Sequence, residues 1–320
     1  MSNILFLSPS YMGLNRPIYE ELLRQGHTVT AIEDCDLPFD YKHRWRGWHD
    51  RLLSAWKCRA KRCYQRYWEQ QFLHNAALNS HFDLLLCING VSFHPCLLRH
   101  LKRINSSLKS VLYLWDNSSF YDYYHNARWF DRTLTYDLED SQRYHADLLP
   151  FYWMPVICQT NVIKYDMSIV GSNHDNRLAI CRKVKEQIVN LTGLREPPPV
   201  IYFHIVDSLL PEDDIISHRK MTLEEVQRIT ALSRCILDTD RETQTGTTPR
   251  LVWALAMGKK VVTTNQNIAR MPFYNSRQIQ IIDRKNPVID LRFILEDCLY
   301  PLDQSLLRLR IDNWVKNLIE

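Results

Sequence analysis

Glycine is scarce in this chain of 320 residues, which contains 8 glycines and no Gly-x-Gly-x-x-Gly run. That scarcity excludes the standard dinucleotide fingerprint, which needs three closely spaced glycines after a strand. The 9 cysteines include no Cys-x-x-Cys pair. The cysteine pattern therefore favours free thiols in a reducing cytoplasm.

Long apolar runs are also missing, since no stretch approaches the roughly 18 residues that a spanning helix needs. The apolar pattern in residues 1–8 is too short for the apolar core of a signal peptide, so we expect a cytoplasmic protein. The net charge of +4 is small, and no nucleic-acid-binding motif accompanies it. We therefore expect no nucleic-acid partner.

Strand and helix patterns alternate along the chain, which predicts the α/β class with parallel sheets. A strand at 3–8, a helix at 17–25 and a strand at 28–33 form the first βαβ unit. The alternation restarts with a strand at 165–171. The sequence thus predicts two Rossmann-like domains facing a central cleft: an acceptor-side domain at 1–155, a nucleotide-binding domain at 156–302, and a C-terminal helix at 303–320 that packs back on the first domain.

Residues 238–265 carry the most informative pattern: strand, polar loop, helix, glycine stop, strand. Thr248 is the predicted N-cap and Pro249 the first helical residue, and Gly258 ends the helix. Hydroxyl and backbone N–H groups are concentrated in the loop before this helix. A helix N-terminus of this kind attracts phosphate, and we expect Thr245, Gly246, Thr247, Thr248 and Arg250 to contact one.

A second strand-to-helix turn, Gly171-Ser172, precedes a helix that carries Arg177. Such a turn offers backbone N–H groups to a phosphate, with Arg177 close by. The alternative is an ordinary turn with solvated basic residues. Because the two turns occur in the same half of the chain, we expect Gly171, Ser172 and Arg177 to belong to the same binding site.

The order Gln244-Thr-Gly246, Arg250 and Gly258-Lys-Lys260 resembles the donor loop of GT-B glycosyltransferases. In particular it is similar to small CgeB-like enzymes of bacterial lipopolysaccharide and capsular polysaccharide synthesis. The resemblance implies a metal-independent transferase without a cofactor. It also implies a nucleotide-sugar donor, and a glycan or lipid-linked acceptor at the inner face of the inner membrane.

Trp253 departs from that resemblance, because the family usually has a donor-binding Glu at this position. An indole has one N–H donor and cannot accept hydrogen bonds from ribose hydroxyls. Glu242 is then the candidate for the ribose. Alternatively, the chain is a non-catalytic scaffold of the same pathway or a GT-B sugar epimerase. In the simplest alternative, Trp253 packs in the core between the domains.

Asp116 and Asp137, at the ends of predicted strands, are the candidate catalytic residues. An inverting transferase needs a general base near the acceptor hydroxyl, whereas a retaining one needs no protein base. His125 is a third candidate, and a loop-capping carboxylate is the alternative for Asp116. The aromatic residues that follow either stack on a sugar or pack in the protein: Tyr121, Tyr123, Tyr124 and Trp129.

The pair Asp238-Thr-Asp240 also matches the Asp-x-Asp metal motif of the other large glycosyltransferase fold. A short motif without its structural context is a weak signal, and Asp34-Cys-Asp36 is a second occurrence. We expect no metal site. Asp238 is instead expected to end its strand and cap the loop that follows.

Residues 42–79 predict a basic, aromatic helix, with nine Lys or Arg between Lys42 and Arg66 against one acid, Asp50. Aromatic and apolar residues recur every three or four positions, which places them on one helical face. This composition is typical of helices on anionic membrane surfaces. The alternative is a surface helix whose aromatic face packs on its own domain.

Overall fold

The computed structural model describes residues 1–10, 13–34, 53–121, 123–155, 162–192, 198–296 and 300–320. Two compact units divide the chain. The first unit comprises residues 1–135, 140–147 and 315–320, and the second comprises residues 136–139 and 148–314.

The first unit is built on a six-stranded sheet with the order β2-β1-β3-β4-β5-β6. The registered pairs β1–β2, β1–β3, β3–β4 and β4–β5 are all parallel. The central strand β3 is apolar over its whole length, as expected for a strand covered on both faces. The strands are β1 (Asn3–Ser8), β2 (Thr28–Glu33), β3 (Leu84–Ile88), β4 (Lys109–Leu114), β5 (Arg132–Thr135) and β6 (Asp147–Leu148).

Helices connect these strands as βαβ crossovers. They are α1 (Asn15–Arg24), α2 (Leu53–His74), α3 (Pro95–Ile104) and α4 (Leu138–Tyr144), with short 3-10 helices at Ala76–Asn79 and Tyr124–Trp129. Trp68 of α2 is fully buried and donates its indole N–H to the Ser92 carbonyl at 2.8 Å. Its neighbours Tyr67 and Phe72 pack on the same core, so this part of α2 is held by its own unit.

The second unit contains another six-stranded sheet, with the order β12-β11-β10-β7-β8-β9 and parallel pairing throughout. Its strands are β7 (Tyr165–Ser172), β8 (Ile201–Val206), β9 (Ile216–Ser217), β10 (Ser233–Asp238), β11 (Lys260–Thr263) and β12 (Ile279–Ile281). From β7 the chain proceeds outward through β8 and β9, then returns to β10 on the other side of β7. The strand order therefore reverses between β7 and β10.

The helices of this unit are α5 (Arg177–Thr192), α6 (Leu223–Ala231), α7 (Pro249–Ala256), α8 (Leu291–Leu295), α9 (Gln304–Leu307) and α10 (Ile311–Ile319), whose last residues belong to the first unit. A 3-10 helix lies at Gln266–Arg270. Thr222 caps α6 through a reciprocal capping box with Glu225. None of the described helices is long and apolar enough to cross a bilayer.

The predicted α/β class with two parallel sheets is confirmed. The strands predicted at 3–8 and 28–33 have those bounds, while the C-terminal helix predicted at 303–320 is two helices, α9 and α10. The strand β9 and the helix α4 were not predicted from the sequence. The predicted domain ranges 1–155, 156–302 and 303–320 stay predictions, and the compact units assign residues 136–139 and 148–155 to the second unit.

The capping box of α6 generates a stability prediction. Substituting Thr222→Ala removes the acceptor for the Glu225 backbone N–H, and we expect a loss of about 1 kcal/mol of unfolding free energy. Thr222→Ser keeps a hydroxyl there and should unfold like the parent protein. Urea unfolding measures both; equal midpoints for the Ala and Ser variants would contradict the predicted contribution of the cap.

Candidate anion-binding site

The carboxyl ends of β7 and β10 meet at the point where the strand order reverses. Helices that leave two such strands in opposite directions along a sheet lie on opposite faces, which opens a crevice between the two loops. Gly171 and Ser172 end β7, and Asp238 ends β10 with Thr239 directly after it. The two turns predicted from the sequence, at Gly171-Ser172 and before α7, thus occur at the same edge of one sheet.

Arg177, the first residue of α5, is buried at this edge with a relative exposure of 5%. Its Nε donates to the Thr239 hydroxyl at 2.7 Å and its Nη2 to the Thr239 carbonyl at 2.6 Å. Its Nη1 donates to the Ser172 carbonyl at 2.6 Å. These three bonds join the end of β7 to the loop after β10, and Arg177 adds a buried positive charge at this edge.

Arg250, on the first turn of α7, reaches the same edge. Its Nη1 donates to Asp238 Oδ1 at 2.7 Å and its Nε to the Val170 carbonyl at 3.1 Å. Asp238 is fully buried and also accepts from the hydroxyls of Thr248 at 2.6 Å and Thr263 at 3.0 Å. The predicted capping role of Asp238 thus takes a specific form: its carboxylate fixes both the N-cap of α7 and the Arg250 guanidinium.

Gly171 allows both guanidiniums to approach the strand end. A Cβ at this position would lie 2.8 Å from Nη1 of Arg177 and 2.9 Å from Nη2 of Arg250. Any other residue would therefore push one of the two side chains away. The glycine explains how two like charges come to share one small volume.

Positive charge exceeds negative charge around these residues. Burial, followed by the charge of Arg250, lowers the pKa of Arg177 to about 9. Burial and the charges of Arg177, Arg241 and Arg250 lower the pKa of His174 to about 3, against an opposing effect of Asp175. A site with three guanidiniums and one fully buried carboxylate is one that an anion would stabilise.

The loop before α7 differs from the sequence prediction in its partners. The backbone N–H groups of Thr245 and Gly246 donate to Asp137 Oδ2 at 2.8 and 3.1 Å, and the Thr245 hydroxyl donates to Asp137 Oδ1 at 2.7 Å. A carboxylate of the protein therefore takes the position that the sequence assigned to a phosphate. The exposed fraction of Asp137 is 1%, so its carboxylate holds this loop and cannot reach a solvent-borne acceptor in this arrangement.

The rest of the loop keeps unused hydrogen-bonding groups. Within the described residues, no protein acceptor bonds the backbone N–H of Thr247, Thr248 or Arg250. Thr247 is fully buried, and its hydroxyl has no hydrogen-bond partner there. Thr248 and Pro249 occupy the N-cap and first helical positions of α7, as predicted. The N-terminus of α7 thus retains donors of the type that bind phosphate.

Gly246 is required by a close backbone approach. A Cβ there would lie 2.4 Å from the carbonyl oxygen of Tyr136. The Gly246 carbonyl also accepts from the Asn265 side chain at 2.8 Å. Gly246 is therefore a packing requirement of the loop, in addition to any role beside a ligand.

Trp253 and Glu242 have contrasting environments. Trp253 lies on α7 with a relative exposure of 6%, and its indole N–H donates to the Tyr152 carbonyl at 3.0 Å. Trp253 is therefore a core residue, which is the simplest of the roles considered for it. Its partner Tyr152 belongs to the same unit, so this contact lies within the second unit and not between domains. Glu242 is exposed on the loop that carries the other candidates.

Sequence reasoning missed His174, Arg241 and the ion pair between Asp240 and Arg284. Arg284 donates to the Asp240 carboxylate and, at 2.9 Å, to its carbonyl, which ties the loop after β10 to the segment after β12. Burial raises the pKa of Asp240 to about 6, with Asp238 adding to the increase. The sequence could have indicated His174 and Arg241, because His174 closely follows the Gly171-Ser172 turn and Arg241 directly follows Asp240.

The candidate catalytic residue of the first unit, Asp116, lies two residues beyond β4. Its Oδ2 accepts from the Asn89 side chain at 2.7 Å, and Asn89 also accepts from the Trp115 backbone N–H at 3.0 Å. Asn89 has a φ of 58°, in the left-handed region that Asn adopts more readily than most residues. Asp116 is only half-buried, so this contact combines loop support with access to solvent.

The aromatic residues after Asp116 divide into two groups. Tyr124 is buried, its hydroxyl pairs with Thr135 at 2.6 Å, and Tyr123 packs on the core of the first unit. Tyr121 and Trp129 are exposed. Packing therefore accounts for the first two residues, while the other two remain candidates for contact with a sugar. The predicted third base, His125, is exposed.

In the part of the chain that the structure describes, no three His, Cys, Asp or Glu side chains form a group that could hold a metal ion.

Comparison with solved structures identifies the architecture. No protein-family model and no curated protein sequence matches the chain. The lipopolysaccharide outer core galactosyltransferase WaaB, in its apo form, aligns over 98% of this chain and 97% of its own at 12% identity, with a TM-score of 0.50. UGT89C1 of Arabidopsis thaliana aligns over 99% and 98% at 11% identity, with a TM-score of 0.51.

The chain has the GT-B fold. The resemblance of residues 238–265 predicted this fold. The two solved structures align with nearly the whole chain. The finer resemblance to CgeB-like enzymes, the central cleft and the assignment of individual site residues stay predictions.

Two glycines provide matched tests of the site. We expect Gly171→Ala to retain its stability to within about 1 kcal/mol, because only the far ends of Arg177 and Arg250 must shift. That shift should weaken binding of inorganic pyrophosphate about tenfold, since charge-assisted hydrogen bonds are lost. Gly246→Ala should instead lose about 2 kcal/mol or more, because the Tyr136 backbone cannot move away.

Urea unfolding and calorimetric titration with pyrophosphate separate the two effects. If Gly246→Ala unfolded like the parent protein, the close approach to Tyr136 would be contradicted. Unchanged pyrophosphate affinity in Gly171→Ala would show that the two guanidiniums do not bind the anion.

Proposed function

We propose that this protein is a glycosyltransferase that binds the diphosphate of a nucleotide-sugar donor between the loops after β7 and β10. The observation that carries the proposal is the excess of positive charge at the reversal of strand order. Arg177 and Arg250 both approach Gly171, and Arg241 adds a third guanidinium to the local field. Ligands of open α/β sheets bind at such reversals, outside the carboxyl ends of the strands.

This arrangement fits the chemistry of sugar transfer. When the bond between the sugar and the diphosphate breaks, negative charge develops on the departing phosphate oxygen. Guanidiniums and helix N–H groups already held in place stabilise that charge without reorganising. Arg250 and the unbonded N–H groups at the start of α7 supply direct contacts, whereas Arg177 acts through its charge because each of its three nitrogens already bonds the protein.

The remaining donor contacts follow from exposure. Glu242 is an exposed carboxylate on the donor loop, and we assign it to the ribose hydroxyls in place of the family's helical Glu. Gly171, Ser172, Thr247 and Thr248 line the diphosphate end of the proposed site. Thr245, Gly246 and Asp137 shape the loop from behind, since their polar groups bond one another.

On the acceptor side we assign Asp116 of the first unit as the base of an inverting reaction. It is half-buried and oriented by Asn89, which suits a carboxylate that must accept a proton from an acceptor hydroxyl. Asp137 is not proposed for this role, because its oxygens are occupied and it is buried. The resemblance favours a glycan or lipid-linked acceptor in bacterial envelope synthesis, in the cytoplasm.

A non-catalytic scaffold was the alternative suggested by Trp253. That support weakens, because Trp253 has a packing role that is independent of any ligand. Calorimetry with UDP, GDP, ADP, CMP and dTDP separates the two functions. Binding of a nucleotide supports the transferase, and the absence of binding to all five supports the scaffold. Turnover of a nucleotide sugar without an acceptor would instead indicate an epimerase.

Arg241→Ala tests diphosphate binding more directly than a substitution of Arg250. Removing Arg250 would leave the buried Asp238 carboxylate without its cation, which typically destabilises a protein by about 3–5 kcal/mol. Arg241 is half-buried on the loop after β10, and its charge helps to lower the pKa of both His174 and Arg177. We expect Arg241→Ala to weaken binding of the preferred nucleoside diphosphate about tenfold, because one charge facing the diphosphate is lost.

Arg182→Ala is the matched control for Arg241→Ala. Arg182 lies on the exposed side of α5 and pairs with Asp213, so its removal changes the net charge equally. The affinity of the Arg182→Ala variant for the same nucleoside diphosphate should stay within about twofold of that of the parent protein, as expected for an exposed pair. Equal losses of affinity in both variants would indicate a general charge effect and would contradict a site at Arg241.

We also propose that the basic segment 42–79 meets an anionic membrane surface. Residues 42–52 lie outside the described residues, and α2 covers Leu53–His74. The proposal rests on the nine Lys or Arg of 42–66, because the packing of Tyr67 and Trp68 on the first unit accounts for the later aromatic residues.

Vesicle binding by the full-length protein tests this surface. We expect co-sedimentation with phosphatidylserine-containing vesicles and not with phosphatidylcholine vesicles, and release as salt increases. Replacing Lys57, Arg59, Lys61 and Arg62 with Gln should weaken the binding, by about 1 kcal/mol per charge. Failure to sediment with the anionic vesicles at low salt would contradict the proposal.

A further inference from the structure

His174 lies in the loop between β7 and α5, three residues before Arg177. Its carbonyl accepts the Arg177 backbone N–H at 3.2 Å, so the ring is attached to the start of α5. Its Nδ1 is buried and has no hydrogen-bond partner among the described residues. Asp175 Oδ2 is 3.4 Å from Nδ1, without forming a hydrogen bond. A buried ring nitrogen without a partner at this edge has no structural role that its contacts explain.

The charges that face His174 come from three different elements. Arg177 comes from α5, Arg241 from the loop after β10, and Arg250 from α7, while Asp175 is the neighbouring carboxylate on its own loop. Burial and the three guanidiniums hold the pKa of His174 near 3, so the ring is neutral at physiological pH. The effect depends on the three guanidiniums outweighing the carboxylates of Asp175 and Asp238.

We propose that His174 takes up a proton from solvent when the diphosphate of a nucleotide sugar binds, and that the imidazolium then donates a hydrogen bond to a phosphate oxygen. The inference rests on the proposed function of the same site. An anion among Arg177, Arg241 and Arg250 cancels the field that keeps the ring neutral, and it adds negative charge that favours the imidazolium. Nδ1, which has no hydrogen-bond partner among the described residues, then gains the phosphate oxygen as its acceptor.

The coupling makes donor affinity depend on pH in a definite direction. Because the ring binds its proton more tightly in the complex than in the free protein, the gain in affinity is complete only below the free-state pKa of about 3. As pH rises from that value to the bound-state pKa, affinity falls by up to about tenfold per pH unit, and above the bound-state pKa it is constant. Asp240, with a pKa of about 6, is the other nearby group that titrates in this range. An experiment must therefore distinguish the effect of His174 protonation on affinity from that of Asp240 protonation.

The probes are UDP-glucose, GDP-mannose, ADP-glucose and dTDP-glucose, whose diphosphates do not titrate near neutral pH. Nitrogen-15 NMR of the histidine rings measures the protonation of His174 directly in the free and saturated protein, with His174→Gln assigning the signal. Calorimetry from about pH 5.5 to about pH 8 measures affinity for the nucleotide sugar that binds. His174→Gln leaves Asp240 in place, so the difference between the two proteins isolates the histidine.

We expect the His174 ring to be neutral in the free protein and protonated in the complex at about pH 6, with a flatter affinity profile in His174→Gln. A ring that stays neutral in the complex, or identical pH profiles for both proteins, would overturn the inference while leaving nucleotide binding intact. If no nucleotide sugar binds, the proposed function fails, and sulfate serves as the probe. A sulfate-induced increase in the His174 pKa would then support anion coupling alone, and its absence would reject both.

Discussion

The buried carboxylate of Asp238 is the constraint on which the second unit's functional edge depends. It has no exposure to solvent, and it accepts from Thr248 at the N-cap of α7, from Arg250 two residues later and from Thr263 at the end of β11. Three segments are thus joined through two oxygens. A carboxylate buried without these donors would carry a large desolvation penalty, so the loop, helix and strand must reach their positions together.

A second carboxylate, Asp137, explains why this edge is less open to a ligand than the sequence implied. It takes the backbone N–H groups of Thr245 and Gly246, which otherwise form the natural anion site of the loop. The backbone N–H groups at the start of α7 and the charges of Arg177 and Arg250 beside Gly171 then remain as the positive groups of this edge. The candidate phosphate position is therefore at the carboxyl ends of β7 and β10, where the strand order reverses, and not at Thr245 and Gly246.

Local patterns in the sequence were sufficient to predict much of this edge. Thr248 and Pro249 begin α7 because capping and proline preferences act within four residues, and Gly258 has the positive φ that a helix stop favours. The partners of Asp137 and Trp253 could not be predicted in the same way. Thr245 is 108 residues from Asp137, and Tyr152 is 101 residues from Trp253, so only tertiary packing brings them together.

Arg177 shows why residue type alone did not establish a role. Its position was predicted correctly in the helix after Gly171-Ser172, yet its donors bond Thr239 and Ser172 and leave little capacity for a phosphate. Its influence is electrostatic: its charge adds to that of Arg250 beside Gly171 and helps to keep His174 neutral. Three hydrogen bonds hold the Arg177 guanidinium close to that of Arg250, and an anion at this edge would offset their repulsion. The same hydrogen bonds that stabilise the loops therefore also hold the site in a state that favours anion binding.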